Sequence, residues 1–215
     1  MSHKFQNTNL ENLGVVTGEL PVPIYNDVME EINEFKKGFI SDESRKIKLV
    51  SFIEGTYLLK KSHSILRPYL LEMSEEYCRN WGYNTNSERE LENVWVNMQK
   101  KYEMNPLHCH NGMLSFVCWM DIPYSIEEEW NQPNVKASNF PKLGSTFVFH
   151  YLNILGEMCT REFAVEKGWE RRIIMFPSAL WHQVYPFQTS DDLRISIAGN
   201  IIPKNDNQNY KLKNQ

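Results

Sequence analysis

From about residue 93 onward the chain is cut into short apolar segments, too brief for a run of helices. Val94–Met98, Leu114–Met120, Ser145–Leu152, Thr160–Val165, Arg171–Phe176, Trp181–Tyr185 and Leu193–Ile202 are rich in Phe, Val, Ile and Tyr, and turn residues separate them. Short segments at this spacing predict an all-β sandwich or barrel. Leu114-Ser-Phe-Val-Cys-Trp-Met120 is apolar on both faces, so its strand must be buried on both. The last segment alternates. Arg194, Ser196, Ala198 and Asn200 share one face of a strand, and Ile195, Ile197 and Ile201 share the other. An inward arginine is costly unless it has an anion to hold.

The first third reads differently. Residues 13–20 form a short β segment that Pro21 and Pro23 end. Ile24, Val28, Ile32 and Phe35 recur at three to four and predict a helix over 24–37, closed by Gly38. A short strand is expected at Lys48–Ile53, followed by a turn at Gly55. A second helix is expected over Ser64–Trp81, with Leu66, Tyr69, Leu70, Met73 and Tyr77 on one side and Pro68 tolerated near its first turn. Residues 82–92 read as a polar loop. Residues 126–143, with Glu127–Glu129, Trp130 and two prolines, read as a long connection, either a substrate lid or a solvated insertion. The expectation is a single, mainly β domain with N-terminal helices: a flanking layer over 1–92, a β core over 93–203 and a polar tail over 204–215.

Hydrophobic residues make up 41% of the 215, enough for a substantial core. A net charge of −4 and the lack of a basic stripe argue against a nucleic-acid partner. No apolar run suits a signal peptide or a membrane span. Four cysteines without a C-x-x-C pair suit reduced thiols in a cytoplasm. Oligomeric state is not legible.

The candidate chemistry centres on Met104-Asn-Pro-Leu-His-Cys-His-Asn-Gly-Met113. In an extended strand His108 and His110 point one way and Cys109 the other. A His-x-His pair at the start of an apolar strand suits a metal, but a metal needs at least a third ligand. His3 lies near the terminus. His63 precedes a helix and is expected to face solvent. His150 sits mid-strand among aromatics, as a core or cleft residue. His182 follows a strand stopped by Pro177 and a tight turn, and twelve residues later comes Arg194-Ile-Ser196.

In this order and spacing the chain resembles the iron(II)- and 2-oxoglutarate-dependent oxygenase superfamily, in particular small hydroxylases of bacteria and phages related to prolyl hydroxylases. The resemblance rests on Trp95-Val-Asn97, Asn105-Pro-x-His108-x-His110, Leu114–Trp119, Phe176-Pro-Ser-x-x-x-His182 and Arg194-x-Ser196, and covers roughly residues 90–202. It implies a double-stranded β-helix, or jelly roll, that couples decarboxylation of 2-oxoglutarate and consumption of O2 to substrate oxidation at Fe(II). It implies iron ligation by His108 and His182, an ion pair from Arg194 to the distal carboxylate of 2-oxoglutarate, and help from Ser196. Trp119 falls where relatives often carry a tyrosine lining the co-substrate pocket. Asn97, Asn105 and Asn200 are expected to line the site.

Position 110 departs from the pattern, because most of the superfamily has a carboxylate there. With His110 as the third ligand, neutral imidazoles leave the full 2+ charge on the metal. That favours a dianionic co-substrate and opens the alternative of a non-oxidative zinc-binding jelly roll. A second alternative is a non-enzymatic structural β-sandwich with incidental histidines. Cupins share His-x-His, but Met113, Leu114 and Ser115 stand where their next glutamate would fall. The expected partner is a small-molecule or peptide substrate; fold analogy does not choose between them.

Overall fold

The computed structural model describes residues 13–38, 45–47, 49–82, 87–137 and 143–204. His3 and residues 205–215 lie outside these. The elements in chain order are β1 Val16–Glu19, α1 Val22–Lys36, β2 Gly55–Leu58, α2 Lys61–Trp81, β3 Arg89–Gln99, β4 Asn105–His108 and β5 Leu114–Asp121. There follow α3 Ile126–Trp130, α4 Pro133–Lys136, β6 Thr146–Leu152, β7 Met158–Ala164, β8 Arg172–Pro177, β9 Trp181–Val184 and β10 Arg194–Pro203.

The strands form a six-stranded sheet in the order β1-β8-β5-β10-β3-β2 and a four-stranded sheet in the order β4-β9-β6-β7. All the pairings are antiparallel. After β3 the chain passes back and forth between the sheets, staying in the small one only for the β6–β7 hairpin, the winding of a jelly roll. The large sheet has helices on one face and the small sheet across the other, so its central strands are apolar on both sides, as the sequence of β5 requires. One core lies between α1, α2 and the large sheet and includes Val28, Ile32, Leu66, Leu70, Leu114, Ile195 and Ile197. A second lies between the sheets and includes Val117, Trp119, Phe147, Phe149 and Phe176. Each side chain of this size taken fully out of water contributes roughly 1.5–3 kcal/mol. At the bulge in β10, a Cβ on Gly199 would stand 2.3 Å from the Asn93 carbonyl oxygen, so only glycine lets β10 and β3 approach there.

Several expectations for the first third need correction. Residues 49–54 carry no strand; the strand is β2, at the place expected to turn. Gly-Thr-Tyr-Leu is too short to announce itself and is held by pairing with β3. The polar stretch 82–92 is not wholly a loop, since β3 starts at Arg89. Helix α2 starts at Lys61, which puts Pro68 well inside it. The reason is a cap from another helix. The carboxylate of Glu31 on α1 accepts hydrogen bonds from the backbone N–H groups of Lys60, Lys61 and Ser62 and from the Ser62 hydroxyl. It also pairs with Arg45. These bonds satisfy the orphan donors of α2 and place a negative charge at its positive end. His63 is half-buried in this first turn, its Nε2 3.0 Å from the Leu91 carbonyl oxygen, rather than facing solvent.

The connection after β5 is neither wholly a loop nor a bare solvated insertion. Ser125 caps α3, and Glu129 is fully buried. Its carboxylate accepts from the N–H groups of Gln188 and Thr189 and from the Thr189 hydroxyl. Trp130 Nε1 donates to the Gly144 carbonyl at 3.2 Å. The segment is thus tied to the β9–β10 connection and to the start of β6.

Candidate metal and co-substrate site

Strand pairing assembles the metal site. His108 ends β4 and stands opposite His182 on β9. His110 lies two residues beyond β4, where its backbone N–H donates to the Ser178 carbonyl at 2.8 Å. Ser178 is tied by its hydroxyl to Ser115, and Ser115 in turn donates to Asn200 Oδ1 at 2.8 Å. The loop that carries His110 is therefore pinned to the turn that precedes His182.

The three imidazoles converge. Ring centroids lie 4.3 Å apart for His108 and His182, 4.9 Å for His108 and His110, and 5.0 Å for His110 and His182. One nitrogen from each lies within 4.8 Å of the others. Two of the rings have their tautomer fixed by a carbonyl. His108 Nδ1 is 2.7 Å from the Pro106 oxygen and His182 Nδ1 is 2.9 Å from the Leu180 oxygen. Each Nδ1 must carry the proton there, which leaves Nε2 with a free lone pair, the arrangement that backbone carbonyls give metal-bound histidines. Burial holds all three rings below the ordinary imidazole pKa; the neighbouring rings add to this at His110, which falls to about 3, and at His182. All three are neutral at physiological pH, as a cation requires.

Around them the pocket is lined by Trp95, Asn97, Asn105, Phe147, Ser196 and Ala198, with no carboxylate among the described lining residues. Asn97 Oδ1 accepts from Thr56, and Asn105 Oδ1 accepts from Ser51. Asn200, expected to line the site, lies in the serine chain behind His110 instead. Trp119 stands opposite Ser196 but packs edge-on against Phe147 and Trp169 between the sheets, and does not line the pocket at the histidines. His150 sits apart from the trio on β6, its buried Nε2 without a hydrogen-bond partner among the described residues.

Arg194 lies on the face of β10 that carries Ser196 and Ala198, and is 3% exposed. Among the described residues no carboxylate pairs with it; neutral groups hold it. Gln99, its cross-strand neighbour on β3, presents Oε1 to Nε at 3.1 Å and to Nη2 at 2.6 Å. Nη2 also donates to the Tyr185 carbonyl at 3.1 Å. Nη1 donates to the Tyr124 hydroxyl at 2.8 Å and, more loosely, to the Ser145 carbonyl at 3.5 Å. Phe187 covers the guanidinium, its ring centroid 5.4 Å away. A buried cation with only neutral partners is costly to keep unless an anion joins it. Gln99 was readable as Trp95, Asn97 and Gln99 alternating on one face of β3; Tyr124 and Ser145 come from turns that carry no such signal.

A family profile described as "Putative 2OG-Fe(II) oxygenase" matches residues 93–200, half of the chain. The chain belongs to this oxygenase family. It is therefore an oxygenase using Fe(II), 2-oxoglutarate and O2, and the three-histidine cluster fits the iron. The zinc jelly roll and the structural sandwich are not favoured. Solved structures give the same fold. A 2OG-Fe(II) oxygenase family protein from Burkholderia pseudomallei aligns at TM-score 0.52 and 16% identity over 88% of this chain and 84% of its own. A prolyl-4-hydroxylase from Pseudomonas putida aligns at TM-score 0.53 and 12% identity, covering 89% of this chain and 93% of its own. AviO1 from Streptomyces viridochromogenes aligns at TM-score 0.56 and 10% identity, covering 89% and 90%. At such identities the likeness speaks for the jelly roll alone. A search of curated proteins finds no match.

Proposed function

We propose that the oxygenase hydroxylates a small molecule or a peptide side chain, with His108, His110 and His182 as the iron ligands and Arg194 as the seat of the distal carboxylate of 2-oxoglutarate. The carrying observation is the convergence of three neutral imidazoles, two with the proton held on Nδ1. When bound, the iron and its co-substrate supply the oxidising power. The chain supplies position: Pro106 and Leu180 aim two rings, and the Ser178 carbonyl fixes the third ligand's backbone. Three neutral ligands leave the metal's charge for the dianionic acid, and the uncompensated Arg194 attracts its far end. Phe147, Phe176 and Val184 keep the pocket poor in water, which strengthens both attractions. Among the described residues no helix is long and apolar enough to cross a membrane, and the four free cysteines suit a reducing cytoplasm.

The test is spectroscopic. Anaerobic addition of Fe(II) and then 2-oxoglutarate should produce a weak visible charge-transfer band, absent in His108→Ala. A protein that retains tight stoichiometric zinc, shows no band and forms no succinate in air would refute the assignment.

A further inference from the structure

The side of the sandwich away from the metal pocket is open between two edge strands. Strand β1 pairs only with β8, and β7 only with β6, so each has a row of backbone groups without a strand partner among the described residues. Two hollows follow one another between them. The first, of about 370 Å³, runs from Val15, just before β1, to Arg161 on β7. The second, of about 560 Å³, runs from Thr17 to Phe163, the next residues on the same faces. Neither shares a residue with the metal pocket; the packed rings of Phe149 and Phe176, 4.8 Å apart, stand between. The groove has an apolar end. Leu13 and Tyr151 line it there in exposed positions, and beyond Tyr151 the β6–β7 turn exposes Ile154 and Leu155 at 66% and 79%. Such a cluster of exposed large apolar side chains is a mark of an interaction surface.

The rest of the groove is cationic. Arg161 lies over the Phe163 ring at 5.6 Å and Arg172 over the Trp169 ring at 4.7 Å, with Phe163 and Trp169 edge to face between them. Both arginines are exposed, and among the described residues no carboxylate pairs with either. Glu19, the one carboxylate lining the two hollows, is already paired with Arg171. Stacking on a ring holds each guanidinium flat and leaves its N–H edges for a planar anion, the geometry a carboxylate fits. The arginines already take ring faces on which nucleobases would stack, and the chain's net charge of −4 repels a polyphosphate strand. Edge strands on both sides favour an extended polypeptide instead. We propose that the groove docks an extended, acidic segment of a partner protein, which borrows backbone bonds from β1, seats apolar residues against Leu13 and Tyr151, and sets carboxylates on Arg161 and Arg172. Docking there is independent of the iron and co-substrate reading.

The test selects ligands from phage-displayed random decapeptides on the full-length protein and measures the winning peptide, labelled, by fluorescence anisotropy. Winners should carry Asp or Glu beside large apolar residues, and their affinity should fall with added salt. The double variant Arg161→Glu/Arg172→Glu should lose at least about tenfold in affinity, because each contact turns from attraction to repulsion. Both sites are exposed, so its Tm should match wild type. Arg67→Glu, a charge reversal at an exposed site on α2, should bind as wild type does. No enrichment, basic winners, or equal binding to the double variant would overturn the proposal. So would displacement by oligothymidylate, which gives the groove to nucleic acid, or self-association that the double variant abolishes, which gives it to a second copy. His108→Ala should bind the peptide unchanged, so a failure of the iron reading leaves this result standing.

Discussion

Acid should unfold the metal-free protein through its metal site, and the size of the effect follows from His110. Its folded pKa is about 3, against 6.5 for the free group. A base with a depressed folded pKa contributes stability that is present above the unfolded pKa and is lost as pH falls towards the folded one. Between pH 6.5 and 4.5 the unfolded chain takes up this proton and the folded chain does not. At 1.36 kcal/mol per pH unit, those two units amount to about 2.7 kcal/mol for His110. His108 and His182 shift in the same direction and add to the loss. Urea unfolding with chelator at pH 7.5 and 4.5, on wild type and His110→Gln, isolates the term because carboxylate titration is common to both. Wild type should lose roughly 2–3 kcal/mol more than the variant, a fair share of the 5–15 kcal/mol typical of a domain. Equal losses would mean that His110 protonates in the folded protein at an ordinary pH, and the picture of three desolvated neutral ligands would fall.

Other outcomes follow from single contacts. Arg194→Met should weaken 2-oxoglutarate by on the order of a hundredfold while Fe(II) affinity holds, read by anaerobic calorimetric titration, since a charge-assisted bond contributes about 1.5–3 kcal/mol. Glu31→Ala strips the cap from α2 and leaves Arg45 unpaired inside; breaking a buried pair costs roughly 3–5 kcal/mol, visible in the urea midpoint. Glu129→Ala frees the N–H groups of Gln188 and Thr189, and hydrogen exchange at those two amides should accelerate without a change in Fe(II) binding.

What the sequence showed and hid divides along physical lines. The β half was legible because β5 and β10 carry their burial in their side-chain alternation, and period two survives without knowledge of the partner strand. The histidines and Arg194 were legible because a desolvated cation or a His-x-His pair has few uses. The start of α2 was hidden because its cap comes from Glu31, about thirty residues upstream on another helix; Lys60-Lys61-Ser62 shows no local signature. Strand β2 was hidden because four residues gain their conformation from β3. The neighbours of Arg194 were hidden for a related reason: Gln99 reaches it through strand register, and Tyr124 and Ser145 through turns whose paths depend on where α3 and α4 are anchored.

Strand β10 leaves a final consequence. Ile195 and Ile197 are packed by the helices, while Ser196 and Ala198 face the iron pocket, so a single thickness of backbone separates scaffold from chemistry. Repacking in α1 or α2 therefore has a short lever on the reaction. A variant that shifts β10 by a fraction of an ångström would move Arg194 relative to the three histidines, and with it the spacing on which the proposed seating of 2-oxoglutarate depends. Substitutions in the helical layer should accordingly register in 2-oxoglutarate affinity and not only in stability.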